Sequence, residues 1–490
     1  MPEGPLAEGH TMNVVAELLL GPDWTNPEDV VVTDQFGVAH TRGELGTRSS
    51  QYANALVQLD VQPGDRVAVQ IGKSFDLVAL HIAVIRVGAV YLPLNASYTE
   101  REVCDLMDDA EPALLVRDQP LPHGINRRSA DELARLADAA STSFADVARG
   151  ADDPAAILYT SGTTGKPKGA VLSHGNLEAG TRTLLEAWRF TSDDVLLHIL
   201  PLFHIHGLFV ALYCTLASGG STIFIDRFDA RQIAELLPRA TVLMGVPTHY
   251  TRLLDEPAFT REAVRNIRLF TSGSAPMLVS THEEFTARTG HTILERYGMT
   301  ETGMLASNPY VGARKPGFVG PPLPGVEIRI DGEGGTGEIQ VRGGNVFSGY
   351  WKRPELRATE FTADGWFRTG DLGHFDDDGY LEIVGRSKDL IITGGLNVYP
   401  KELELVIDTF PGVLESAVIG LPDPDFGEAV VAVVVPEEGA ALSADELRAL
   451  AKEQLAGFKV PKRFHIVDAL PRNTMGKVEK AKLRTQFADA

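Results

Sequence analysis

The stretch TSGTTGKPKG, Thr160 to Gly169, gathers glycines, hydroxyl side chains and two lysines into ten residues. Glycines let backbone N–H groups approach phosphate oxygens, hydroxyls add donors, and Lys166 and Lys168 add positive charge. The chemistry this suits is phosphate binding. The apolar run AAILYT precedes the stretch, and a helix is expected from about Asn176. The loop then lies at the carboxyl end of a strand, where open α/β sheets take their ligands. A Walker loop is excluded, since it requires G-x-x-x-x-G-K-[ST]. Here Pro167 follows Lys166, and Thr160 stands where the first glycine belongs. A dinucleotide fingerprint fails too, because no G-x-G-x-x-G opens a helix here.

The loop resembles the phosphate-loop signature of the adenylate-forming superfamily, which includes acyl-CoA synthetases, firefly luciferase and nonribosomal adenylation domains. Further segments resemble that family's motifs, in the family's order. The resemblance implies ATP, Mg²⁺ and coenzyme A as ligands. Thr160, Ser161, Gly162, Thr163, Thr164, Gly165 and Lys168 would then hold the terminal phosphates. SGSAP resembles the adenine loop, which implies contacts from Ser274, Ala275 and Pro276. In ERYGMTE, the resemblance gives Glu295, Tyr297, Gly298 and Met299 to the nucleotide and Thr300 to the α-phosphate. It gives Mg²⁺ to Glu301 and Thr160; this ion favours one or two carboxylates plus phosphate oxygens. RTGD supplies Asp371 for the ribose hydroxyls, and GRSKD supplies Arg386 for the nucleotide and Lys388 as a hinge. PRNTMGKVEK places Lys477 as the catalytic lysine of acid activation.

A carboxylate attacking the α-phosphorus of ATP brings two anions together, so positive charge must meet the transition state. In the family, the small C-terminal domain then rotates, and the TGGLNVYP face, with Gly394 and Gly395, lines the thiol channel. His204 in PLFHIHGLF matches a residue that gates the carbonyl in thiolation, and His206 is a candidate for the acid pocket with Ser272. The acid itself is addressed by Arg296, which stands before YGMTE where many relatives carry a small or apolar residue. Arg252, in GVPTHYTRLL, is expected to face the same pocket. Guanidinium does not shed its charge, so two of them in a pocket demand an anion, such as a second carboxylate on the substrate. The pair resembles that of malonyl-CoA synthetases, as do long stretches around it. Malonate, methylmalonate or a longer diacid all fit that reading, because GMLA (303–306) replaces the asparagines often found there. The alternative is a CoA ligase for a short- or medium-chain fatty acid or an aromatic acid.

These residues need a scaffold, and the chain's rhythm describes one. Strand-like runs at 65–72, 112–118, 155–160, 221–226, 241–247 and 267–273 alternate with helical-period segments such as 176–188 and 229–238. That alternation predicts layered α/β sheets with mainly parallel strands. After Pro324 a β-rich segment follows, beginning with a hairpin around GEGGTG. Beyond it comes a small α+β unit of helix, two strands, helix and strand. The expected division is an N-terminal ATP- and acyl-binding domain, 1–385, and a mobile C-terminal domain, 386–490, which carries Lys477.

At 490 residues, with 44% hydrophobic and 23% charged, the chain reads as globular with more than one core. A formal charge of −21 argues against a nucleic-acid partner, and any anion site must be made positive locally. Cys104 and Cys214 lie in apolar stretches and are expected as reduced, buried thiols. No signal peptide or membrane-length run is read, so a cytoplasmic setting without membrane partners is expected. The expected partners are small molecules: a dicarboxylate, ATP and CoA. In related ligases the catalytic lysine is acylated, which suggests a protein acyltransferase and deacylase acting on Lys477.

Overall fold

A computed structural model describes residues 12–21, 26–121, 124–160, 167–332, 335–393, 396–423, 426–473 and 476–488. The chain divides into two compact units, Met1–Glu327 with Arg342–Gly365, and Ile328–Val341 with Trp366–Ala490.

The first unit is built on two large sheets. An eight-stranded sheet runs in the order Gly303–Ser307, Leu294–Met299, Leu269–Ser272, Val242–Gly245, Val195–His198, Ser221–Phe224, Val30–Thr33, Ala39–Thr41. Its inner strands are parallel, and the strand at each end is antiparallel. The inner strands include continuous apolar runs such as VLMG, as expected where a sheet is covered on both faces. Helices Ala230–Leu236, Pro247–Leu254 and Val279–Thr289 pack Ile233, Tyr250 and Phe285 into a core with Leu243, Phe259 and Phe270. The second sheet has six strands and ends in Pro154–Thr160 and Lys168–Ser173, which pair antiparallel.

That last pairing adds a strand the sequence reading lacks: the phosphate-loop stretch lies in sequence between two antiparallel strands, and the expected helix, His174–Ala187, begins after the second. The short segment KGAVLS forms the return strand, with Ala170 and Leu172 buried. A second departure is a π-helix, His206–Leu212, in which every residue is buried. With every residue buried it offers no amphipathic period to read. Both cysteines are free thiols, but only Cys214 is buried; Cys104 is half-buried on the helix Glu100–Ala110, whose inward face is Val103, Leu106 and Met107.

In the second unit, Phe367–Phe375 pairs antiparallel with both Gly337–Gly343 and Leu381–Arg386. A separate sheet contains Ile391–Thr393, Val413–Asp423, Gly427–Pro436 and Arg463–Ile466. Helices Pro400–Ile407 and Ala444–Gln454 pack Leu403 and Leu447 against its Val418, Val430 and Val434. Division by compactness falls near Gly365, whereas composition places it at 385/386. No helix among the described residues is long and apolar enough to cross a membrane.

Candidate active site

In the first unit, Thr160 closes its strand with Oγ1 3.4 Å from Oε1 of Glu301. Glu301 is only 5% exposed, and the same Oε1 accepts a 2.9 Å hydrogen bond from the Tyr350 hydroxyl. Burial, then the charges of Glu301 and Glu360, push the Tyr350 phenol up, so it stays protonated and donates. Lys168 opens the return strand, pairs with Glu360 at 2.9 Å and lies 5.0 Å from the Tyr350 ring centroid. Thr300 occupies the turn between strands Leu294–Met299 and Gly303–Ser307, which brings Glu301 to this place. A hydroxyl and a carboxylate this close are hard oxygen donors of the kind Mg²⁺ takes, and would hold it together with phosphate oxygens. Among the described residues no group of three or more His, Cys, Asp or Glu side chains is placed to hold a metal by itself. Ser161, Gly162, Thr163, Thr164, Gly165 and Lys166 lie outside the described residues.

The residues expected to line the acid pocket lie on and around the strand Leu294–Met299, where successive side chains turn to opposite faces. Glu295 accepts the Gly317 N–H at 3.0 Å, while Tyr297 is buried and Gly298 and Met299 are half-buried. Arg296 turns the other way and is 3% exposed, with Nε and Nη2 lacking any partner among the described residues. Burial pushes its guanidinium down to about 9, Tyr250 partly opposing, so it remains charged at neutral pH. Ser272 Oγ and His206 Nε2 are likewise buried without partners among the described residues. Ser274 Oγ is 3.4 Å from His206 Nδ1, and Ser274 holds a left-handed φ of 70°. Such a conformation is uncommon outside glycine and recurs at functional loops. Ala275 is half-buried beside it, and Pro276 is exposed.

His204 Nδ1 accepts the backbone N–H of His206 at 3.2 Å, which places its proton on Nε2. Burial, followed by the Arg296 charge, lowers His204 to about 4 and His206 well below its ordinary value. Both are neutral at pH 7. Arg252 differs from Arg296 in its exposure. Its helix turns Tyr250, Leu253 and Leu254 inward, leaving Arg252 exposed with its guanidinium 5.7 Å from the Phe228 ring centroid.

In the second unit, Asp371 and Arg386 face each other across paired strands and form a 2.9 Å ion pair. The half-buried Lys477 is lowered to about 8, first by burial and then by the Arg386 charge, with Asp371 opposing. Its backbone N–H is held by Asn473 Oδ1 at 3.0 Å. Lys388 is exposed on the short turn Ser387–Asp389. Gly394 and Gly395 lie outside the described residues.

Sequence reasoning missed Tyr350 and Gly273. Tyr350 sits in FSGYWKR with no motif of its own. Gly273 matters only because the Arg296 guanidinium lies against it, a contact visible once the strands are side by side.

Residues 24–351 match the family described as AMP-binding enzyme, and residues 402–477 match AMP-binding enzyme C-terminal domain. A malonate–CoA ligase of Arabidopsis thaliana is 38% identical over 477 residues, covering 86% of this chain and 78% of its own length. A feruloyl-CoA synthase of an Amycolatopsis species is 37% identical over 466 residues, covering 92% of this chain and 94% of its own. The crystal structure of ATP-bound MatB from Rhodopseudomonas palustris shares 50% identity with a TM-score of 0.94, covering 97% of this chain and 99% of that one.

Proposed function

The chain belongs to the AMP-binding enzyme family, and from that premise we propose that it activates malonate with ATP and passes the malonyl group to coenzyme A. The products are malonyl-CoA, AMP and diphosphate, formed through malonyl-AMP. Arg296 carries the choice of acid: it is a buried, charged guanidinium with two nitrogens unpartnered among the described residues. A second carboxylate on the substrate satisfies it, with Ser272 and His206 as further polar partners. An acid lacking that group leaves the charge buried and unpaired; sites built this way reject such analogues by roughly 10⁴–10⁵. Similarity to a malonate–CoA ligase supports this reading. Near-equal similarity to a feruloyl-CoA synthase keeps an aromatic monocarboxylate as the second reading. Methylmalonate fits the same pocket chemistry.

Within this account, the Thr160–Lys168 stretch holds the terminal phosphates, Thr300 the α-phosphate, residues 274–276 the adenine, and Asp371 the ribose, with Arg386 orienting Asp371. Glu301 and Thr160 would hold Mg²⁺, which when bound neutralises charge on the diphosphate leaving group. Lys477 supplies positive charge to the attack of the carboxylate on the α-phosphorus. The neutral His204, its proton on Nε2, serves the thiolation step. Residues 386–490 turn about Lys388 between the two steps, bringing Gly394 and Gly395 to the thiol. Acylation of Lys477 by a protein acyltransferase would remove its charge, and a deacylase would restore it. A cytoplasmic setting is part of the proposal and rests on the unpaired Cys104 and Cys214.

The test is ATP–diphosphate exchange without CoA across malonate, methylmalonate, succinate, acetate, octanoate and 4-coumarate. Malonate and its close diacids should exchange fastest. Faster exchange with octanoate or 4-coumarate than with malonate overturns the reading.

A further inference from the structure

Lys73 has no part in the chemistry above, yet its ammonium group is deeply placed. The residue is 9% exposed and makes no ion pair among the described residues. Nζ instead donates to the carbonyl oxygens of Ile225 at 2.8 Å and His198 at 3.1 Å, and lies 3.3 Å from His198 Nδ1. A buried ammonium with no carboxylate in direct contact is costly to keep. Burial pushes it down to about 7, with Asp226 opposing.

His198 passes the contact on. Its Nε2 is 2.9 Å from the Gly207 carbonyl oxygen. A carbonyl only accepts, so the ring proton is on Nε2 and Nδ1 offers its lone pair to Lys73. Burial and then the Lys73 charge lower His198 to about 3, so the imidazole stays neutral. The donors therefore run one way, from Lys73 through His198 to Gly207.

Gly207 is the second residue of the π-helix His206–Leu212. It packs so closely on the Pro201 carbonyl that a Cβ has no room. The helix start thus has one seat, held by Pro201 on one side and by His198 on another. His206 is its first residue, with Ser274 on Nδ1 and the Arg296 charge acting on the ring.

We propose that Lys73 and His198 are positioning residues for the acid substrate, fixing the start of the π-helix and so setting His206 beside Arg296. The inference rests on the dicarboxylate reading of the Arg296 pocket.

Lys73→Met keeps the length of the stem and removes every donor. In steady-state kinetics at saturating ATP and CoA, its malonate KM should rise at least about tenfold while kcat stays within about twofold and the KM for ATP is unchanged. His198→Phe should behave alike, and His198→Gln, which can still donate to the Gly207 carbonyl, should recover most of the malonate KM. Three results overturn the proposal: an unchanged malonate KM in Lys73→Met, a parallel shift of kcat and all three KM values, or no recovery in His198→Gln. If circular dichroism shows Lys73→Met unfolded, the His198 pair decides alone. Arg296→Gln is measured alongside. Unchanged malonate kinetics in that variant remove the pocket reading and this inference together. Impaired Arg296→Gln with unaffected Lys73→Met removes this inference only.

Discussion

The guanidinium of Arg296 lies against Gly273 so closely that a Cβ on that glycine would meet Nη1 at 2.5 Å and Cζ at 2.6 Å. The glycine is a seat for the cation. Gly273→Ala should displace the guanidinium and lower kcat/KM for malonate by about ten- to a hundredfold, the usual cost of overfilling a packed site. Activity with acetate, which does not use the cation, should be little changed. Kinetics with the two acids check this; equal losses for both would show that the glycine serves the fold instead.

Lys477 gives a pH prediction. Its ammonium is lowered to about 8, by burial first and the Arg386 charge second. The charge is present below that value and lost as pH rises through it. Malonate-dependent diphosphate exchange should therefore decline above about pH 8, falling about tenfold per pH unit on the alkaline limb. Lys477→Arg, permanently charged, should move the limb upward if it retains activity. An unshifted limb in an active Lys477→Arg would assign the titration to another group.

The Tyr350–Glu301 hydrogen bond, at 2.9 Å, orients the carboxylate beside Thr160. Glu301→Gln should raise the Mg²⁺ concentration needed for half-maximal exchange by about ten- to a hundredfold, and Tyr350→Phe should do so less strongly. Titrating Mg²⁺ at fixed ATP measures both. No change in Glu301→Gln would remove this residue from the metal's ligands.

A stability prediction comes from Asp194, a buried carboxylate that takes Arg268 Nε and Nη2 at 2.6 Å each and the Thr241 hydroxyl at 2.8 Å. Burial alone would raise its pKa, but the Arg268, Thr191 and Thr241 donors overcome that and hold it low. Asp194→Ala leaves Arg268 without its anion and should destabilise the fold by about 3–5 kcal/mol. The native pair's contribution is present above the unfolded carboxylate's pKa and is lost as pH falls through the lower folded value. Urea unfolding of both proteins at neutral pH measures the difference; a change below about 1 kcal/mol would class the pair with ordinary surface bridges.

Much of this is legible in the sequence alone. The family resemblance names Glu301, Asp371 and Lys477 as candidates because each lies in a short contiguous motif, although Asp371 sits within a strand rather than a turn. Apolar runs locate the sheet strands because those covered on both faces need continuous hydrophobic sequence. The π-helix stays hidden because all its faces are buried, which leaves no periodic signal. Arg252 is expected in the acid pocket; Tyr250, Leu253 and Leu254 mark the inward face of its helix and leave Arg252 exposed, unlike the buried Arg296. The Arg296–Gly273 and Lys73–His198 contacts join residues separated in sequence, and only the fold brings them together.

The central claim is that Arg296 selects a second carboxylate. Its most direct test is diphosphate exchange by Arg296→Leu with malonate and with a monocarboxylate of similar size, such as propionate, beside the unaltered protein. Loss of one end of a buried, hydrogen-bonded charge pair should reduce kcat/KM for malonate by roughly 10²–10³. Propionate should be unaffected or improved, with the thermal unfolding midpoint retained. Malonate turnover unchanged in Arg296→Leu would contradict the account.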